Sequence, residues 1–529
     1  MEKPRRLPVG MQNFEEIRND GYVYVDKTDL IWDLVHGDKN VLFFARPRRF
    51  GKTLLLNILH QYFNGRQDLF TGLKIMDKET EWKKRPVFRF DFSGALTASQ
   101  LNNKIDSRLS FYEGIYGKTG YDKELGDRFL SLIQAAHKQS GEKVAILFDE
   151  YDYPIQHCLF DEKTKESISD VYRSFFPVLK TADEAGDLYF MLITGITKFT
   201  QLSLFSVLNN VTILSTSEKY STLCGITPDE LREYFQPELE SISKKKKCTV
   251  DELLDKMKDL YDGYHFAGDL KDVYNPYSVL QALSTGKLTN YWVSSGATVT
   301  LQNFLLESFI DENLMLEGTV IGAEQLDMSD VSRDNLPLFL YQTGYLTIKS
   351  FNDDDAFYTL GIPNKEVRTA LYDTVLPNAV GKQRPEVDSC ISRMRADLSK
   401  GAVNEAFTNL QQLVSSTPYA VEKGDKEKVY ESFFRFILKN AFSLCGCEVQ
   451  DEQQMISGRM DIVAARRNLI MVIELKLDTN GGLKAAREQI ENRNYASSFS
   501  AEKRPVYTVA VEISAAKRGI TAFDVKRER

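Results

Sequence analysis

Apolar positions along this chain change their spacing several times, and each change marks an element. Tyr22 to Val25 reads as a short strand, after which Asp26, Lys27 and Thr28 offer capping side chains ahead of the amphipathic stretch DLIWDLVHG, closed by Gly37. VLFFA at 41–45 is an unbroken apolar run, which suits a strand buried on both faces of a parallel sheet. Similar runs recur as VFRFDF (87–92), VAILFDE (144–150) and YFMLITG (189–195), at intervals long enough for crossover helices. Together they predict a doubly wound α/β domain with a parallel sheet over residues 1–225.

After Thr227 the spacing turns helical, with PDELREYF and VDELLDKMKDLYDGY separated by the lysine run 244–247, expected to be a solvated loop. Residues 336–366 predict a helix, a strand, an acidic turn and a second strand, the order of a winged-helix unit. Residues 226–370 are therefore expected to form a helical and winged-helix-like region. A helical linker is expected over 371–424, with a break near Gly381 to Pro385, and an α/β domain over 425–529.

Composition narrows the function classes. At 43% hydrophobic and 27% charged residues, 529 residues match a multidomain globular protein and exclude disordered and fibrous ones. The net charge of −8 provides no blanket attraction to phosphate backbones. From Val421 onward, however, 19 basic face 16 acidic residues, so any nucleic-acid site is expected to be local. The six cysteines are scattered, and Cys445-Gly446-Cys447 lacks the two-residue spacer of zinc knuckles and redox motifs, which predicts reduced thiols. No apolar run approaches membrane-spanning length, and the N-terminus turns polar where a signal peptide needs apolar residues. A cytoplasmic location without a membrane partner is expected.

Two constellations carry chemistry. VLFFA runs into Arg46-Pro47-Arg48-Arg49-Phe50-Gly51-Lys52-Thr53 and then into a helical pattern. In such a P-loop, backbone N–H groups hold the phosphates of ATP, Lys52 neutralises their oxygens and the Thr53 hydroxyl binds Mg²⁺. Arg46 stands where the first glycine of the pattern belongs. About a hundred residues on, VAILF ends in Asp149-Glu150, where a P-loop ATPase places its metal-organising and water-polarising acids. Thr194, with Lys198 or Asn210, is a candidate for sensing the γ-phosphate. Arg48 and Arg49 are placed to contact phosphate, to support a neighbouring subunit's site in a homo-oligomer, or to stiffen the loop.

The second constellation is SGRMDIVAARRNLIMVIELK, read as a hairpin. Alternation puts Glu474 and Lys476 on one face, and cross-strand pairing brings Asp461 towards them. Charges that interrupt an apolar run are costly unless they are used. Two carboxylates and a lysine form a hard site suited to Mg²⁺ or Mn²⁺, able to activate a water against a phosphodiester. The preceding helix offers Glu427 or Glu431 as a further ligand, and the following one brings Gln489 and Tyr495 into range.

The chain resembles bacterial AAA-ATPase-like proteins whose C-terminus is a PD-(D/E)XK nuclease-superfamily domain. The motifs that carry the resemblance are YVDKT, RPRRFGKT, LFDEYD, ITGITKF, LFSVLNN, YDGYHF, YNPYSVL, LYQTGYLTI, GRMDIV, IELK and the Gln489-Ile490 and Asn494–Ala496 segments. The resemblance implies Walker A roles for Lys52 and Thr53, a Walker B metal role for Asp149, a catalytic-base role for Glu150, and the strand order of additional-strand P-loop ATPases. It places Asp461, Glu474 and Lys476 on the nuclease motif positions and Glu427 on the helix-borne acidic one; Met460 replaces the motif's proline. It also implies candidates for handling foreign or mobile DNA. The leading expectation is an ATP-driven or ATP-gated nuclease acting on DNA. Its rivals are an ATP-dependent switch or scaffold that binds nucleic acid without cutting, and an ATPase that serves assembly with a protein partner.

Overall fold

The computed structural model describes residues 5–118, 124–159, 161–199, 211–292, 318–328, 335–415, 417, 426–455 and 458–529, with the side chains of 426–429, 451–455 and 458–459 outside the description. The described residues fall into two compact units, one within Met1–Thr300 and Met315–Arg368, the other within Thr369–Arg529.

In the first unit the four apolar runs become strands β1 (Val41–Ala45), β2 (Val87–Asp91), β3 (Val144–Asp149) and β4 (Leu188–Gly195), joined by the short β5 (Thr212–Ile213). All pair in parallel in the order β2-β3-β4-β1-β5. This is the order implied by the resemblance, with β4 inserted between β1 and β3. Every residue of β3 is buried, as an apolar run covered on both faces requires. The C-terminal ends of β1, β3 and β4 therefore converge, and the helix Lys52–Phe63 starts at that rim.

Two local expectations are corrected. Tyr22 to Val25 is not a strand: it makes one bridge, Arg6 to Tyr22, and its apolar residues go into packing. Val23 joins the buried cluster of Leu231, Phe235 and Tyr261, and Tyr24 packs edge-on against Phe14. The lysine run is not a loop either. Lys244–Lys246 form the exposed last turn of the helix Pro228–Lys246, where cations offset the negative end of the helix dipole. That helix starts with a capping box of Thr227 and Glu230, and Glu230 also pairs with Lys27 of YVDKT at 2.8 Å.

The helix Leu336–Thr343 leads into an antiparallel hairpin, β7 (Thr347–Asn352) and β8 (Phe357–Gly361), turned over Asp353–Asp355 as expected. A short strand without sequence signal, β6 (Thr319–Gly322), flanks β8. Nearby, Glu366 is 1% exposed and accepts the backbone N–H groups of Tyr291 and Trp292. Burial pushes its carboxyl up to about 7. Its folded-state pKa lies above its unfolded value, so the folded form binds the proton more tightly and stability falls as pH rises from about 4.5 through 7. Urea midpoints should decline over that window, and Glu366→Gln, which keeps the accepting oxygen, should flatten the decline.

The second unit has the helices Arg384–Ser399, Val403–Leu413 and Lys426–Leu444 and a mixed sheet ordered β13-β12-β11-β10-β9. Its strands are β9 (Glu448–Met455), β10 (Gly458–Arg466), β11 (Leu469–Leu477), β12 (Val506–Ser514) and β13 (Gly519–Arg527). Only the β11–β12 pair is parallel; the helix Gly482–Asn492 lies in that crossover, which is how parallel neighbours are joined. No helix among the described residues is long and apolar enough to cross a membrane. All six cysteines are free.

Candidate functional site

Between β1 and its helix the chain turns sharply through Arg49 (φ 70°) and Gly51 (φ 98°). A Cβ on Gly51 would meet nothing within 4 Å, so the backbone angle, and not space, calls for glycine there. Lys52 is 7% exposed, and its Nζ donates to the carbonyls of Arg46 (2.7 Å) and Pro47 (3.1 Å). Burial lowers its proton affinity against the pull of Glu150, Asp152 and Asp149. A cavity of about 470 Å³ opens here, lined by Arg48, Arg49, Gly51, Lys52, Thr53 and Glu150. Arg49 lies over the ring of Tyr277, 4.3 Å from its centroid, which ties the loop to YNPYSVL.

Asp149 is 2% exposed at the end of β3, 3.0 Å through Oδ1 from the Thr194 hydroxyl and 3.5 Å through Oδ2 from Arg89 Nη2. Burial raises its pKa; Arg89 and Thr194 hold it down. Glu150, at φ 48°, faces the cavity, and burial pushes its carboxyl to about 7 although Lys52 opposes the shift. Thr194 thus meets Asp149 without being among the cavity's lining residues. Lys198 lines a separate cavity of about 40 Å³, and Asn210 lies outside the described residues.

Arg46 explains the missing first glycine. It is 2% exposed, donates to the carbonyls of Ala45, Ser215 and Tyr220 at 2.7–3.1 Å, and sits between the rings of Phe44 (4.4 Å) and Phe266 (4.1 Å). It staples the start of the loop to the segment after β5. Arg46→Met would leave buried carbonyls unpaired and should cost about 3–5 kcal/mol in urea unfolding, with poor rescue by Arg46→Lys because a point charge cannot span the same acceptors.

In the second unit β10 and β11 pair antiparallel from Ile462–Ile473 to Arg466–Leu469. Asp461 lies one residue beyond that ladder, and its Oδ2 accepts the Leu475 N–H at 2.9 Å. Glu474 is 0% exposed. Its Oε1 accepts from Lys476 Nζ (3.0 Å) and from Gln489 Nε2, which also reaches the Tyr495 hydroxyl (3.1 Å). Its Oε2 is buried without a hydrogen-bond partner among the described residues. Burial, reinforced by Asp461, raises the Glu474 pKa. Asp461, Glu474 and Lys476 are thus brought together. From the Lys426–Leu444 helix, Arg435 lies 3.4 Å from Asp461 and 3.3 Å from Glu431. Glu431, whose pKa is raised by burial and by Asp461, is the helix acid seen at the site; the side chain of Glu427 lies outside the described residues.

A family model described as a predicted AAA-ATPase matches residues 8–205, and one for the PD-(D/E)XK nuclease superfamily matches residues 425–523. A protein of Azotobacter chroococcum mcd 1, described as an uncharacterized protein in the vnfD 5′ region, is 31% identical over 536 residues, covering 99% of both chains. The chain belongs to this AAA-ATPase-like family with a C-terminal PD-(D/E)XK nuclease-superfamily domain.

Domains of the AAA-ATPase-like and PD-(D/E)XK families generally use ATP and divalent metals. At the nuclease-like site, among the described residues, no group of three or more His, Cys, Asp or Glu could hold a metal ion. The orphaned Glu474 Oε2 beside Asp461 nevertheless suits Mg²⁺, which usually takes one or two carboxylates and completes its shell with water and substrate phosphate. At the P-loop site of this AAA-ATPase-like chain, the open turn at Gly51 and the buried pair Lys52 and Asp149 suit Mg-ATP. Sequence reasoning missed Arg89, Arg435 and Asp152. Asp152 Oδ2 accepts from the N–H groups of Ile196 (2.9 Å) and Thr197 (2.6 Å), fixing the turn after β4. Arg89 had a signal, a charge that with Asp91 interrupts the apolar run VFRFDF.

Proposed function

We propose that this protein is an ATP-gated, metal-dependent nuclease that cleaves DNA phosphodiester bonds. Residues 1–225 form the ATPase, 226–370 and 371–424 transmit its state, and 425–529 form the nuclease-like domain. The observation that carries the reading is the buried Glu474 carboxylate, whose Oε1 takes Lys476 and Gln489 while its Oε2 has no hydrogen-bond partner among the described residues, because an unpaired carboxylate oxygen in a core is costly unless it meets a cation.

Lys52, Arg48 and Arg49 hold the phosphates of ATP at the loop, Thr53 and Asp149 ligate Mg²⁺, and Thr194 orients Asp149. Glu150, facing the cavity, takes the proton of the attacking water. In the second unit Asp461 and Glu474 would ligate Mg²⁺ or Mn²⁺, with Glu427 or Glu431 as a further ligand. When bound, that ion lowers the pKa of water and offsets charge on the phosphate. Lys476 orients the nucleophile, while Gln489 and Tyr495 fix the Glu474 carboxylate.

Purified protein incubated with linear, circular and single-stranded DNA and with RNA, with and without ATP and Mg²⁺ or Mn²⁺, tests this directly. Metal-dependent DNA fragments that require or respond to ATP are expected; intact DNA in every arm would refute the reading. One observation favours a rival, a switch or scaffold whose nuclease-like domain binds without cutting. Arg435 already pairs with Asp461, so in that reading the acid is neutralised by the protein itself.

A further inference from the structure

A second cavity, of about 520 Å³, lies where β2, an edge of the first sheet, meets the helix Ala98–Tyr116. Arg89, Asp91, Asn103, Lys104, Ser107 and Arg108 line it, and it shares no lining residue with the nucleotide cavity. Three cations face one acid. Lys104 Nζ is steered by the carbonyls of Asp91 and Ser93, and Arg108 Nε donates to the carbonyl of Arg89 at 2.8 Å. The positive potential is felt nearby: His60 is pushed down to about 4 by burial and then by Arg89 and Arg108.

Two further features give the cavity a direction. Phe111, on the same helix, is 56% exposed, with the Arg108 guanidinium 5.3 Å from its ring centroid. A large aromatic left in water beside clustered cations is the combination by which single strands are held, phosphates on the cations and a base on the ring. Arg89 itself reaches the other way, its Nη2 lying 3.5 Å from Asp149 Oδ2. One guanidinium therefore touches both this cavity and the acid of the ATPase centre.

We propose that this cavity binds the phosphodiester backbone of a nucleic-acid strand through Arg89, Lys104 and Arg108, with Phe111 stacking on a base, and that Arg89 transmits occupancy to Asp149. The inference rests on the nucleic-acid reading above. A phosphate draws Arg89 away from Asp149, freeing that acid for its ATPase role, so ATP turnover rises when a strand is bound. Arg89 is a positioning residue; Arg108, Lys104 and Phe111 serve the strand, with Lys104 and Arg108 also held by the carbonyls of Asp91, Ser93 and Arg89.

The test uses the full-length chain in an Asp461→Ala background, so that the strand is not consumed, with a fluorescent oligothymidylate as probe. Arg108→Gln and Lys104→Gln should each weaken its binding about tenfold and flatten the salt dependence by about 0.7 in log–log slope, with basal ATP turnover unchanged. Phe111→Ala should weaken binding while leaving that slope alone. Arg89→Lys should retain most of the binding but lose the rise in ATP turnover. If the parent binds and all four variants bind and respond alike, the inference fails and the nuclease reading stands. If the parent neither binds the probe nor, with Asp461 intact, cuts nucleic acid, both fall. Equal competition by poly-glutamate would also overturn the proposal, since it would make the cavity an acidic-peptide site.

Discussion

Lys52→Ala is expected to reduce ATP affinity, measured by titration calorimetry, by at least about a hundredfold, in line with the roughly 3–4 kcal/mol carried by a charged donor in a water-poor phosphate site. Lys52 is buried and its ammonium is the counterweight to Glu150, Asp152 and Asp149. Without it, triphosphate would bring more negative charge beside Glu150, Asp152 and Asp149, with only Arg48 and Arg49 of the cavity's lining left to offset it. The side chain also bonds to the carbonyls of its own loop, so circular dichroism must first establish that the variant is folded. Undiminished affinity in a folded variant would remove the P-loop assignment.

Asp461→Ala and Lys476→Ala should each lower metal-dependent cleavage by about a hundredfold or more, the scale seen when a preorganised charge is removed from a transition state, while ATP turnover persists. Asp461 has a second job, accepting the Leu475 N–H, so loss of activity in the alanine variant alone could reflect a loosened strand. Asp461→Asn separates the two. It keeps an acceptor for Leu475 but no charge for a cation, and it should be folded and inactive. Cleavage equal to wild type in these variants would sink the nuclease assignment.

Much of this was readable in the sequence because apolar strands buried on both faces leave an unmistakable pattern. VLFFA and VAILFDE announced the ends that carry Lys52, Asp149 and Glu150. The same rule, a charge inside an apolar run, singled out Glu474 and Lys476 as candidates, and applied to VFRFDF it would have singled out Arg89 together with Asp91. Arg46 was read as a departure from the P-loop pattern, because its partners Ser215 and Tyr220 lie about 170 residues away and no local spacing reveals them. Tyr22 to Val25 failed for a related reason: a short apolar segment can join a ladder or pack against helices, and only the tertiary partner decides.

The insertion of β4 between β1 and β3 also constrains biogenesis. Val41 of β1 pairs with Met191, so the first strand to be synthesised must wait about 150 residues for its neighbour. At about 5–20 residues per second on a ribosome, that leaves VLFFA and its loop without their sheet for roughly 8–30 s. The β2–β3 pair can form before that, but β1 joins the sheet of the AAA-ATPase-like domain only once β4 has emerged, and nascent chains stalled before Leu188 would present a bare apolar β1 to chaperones and proteases.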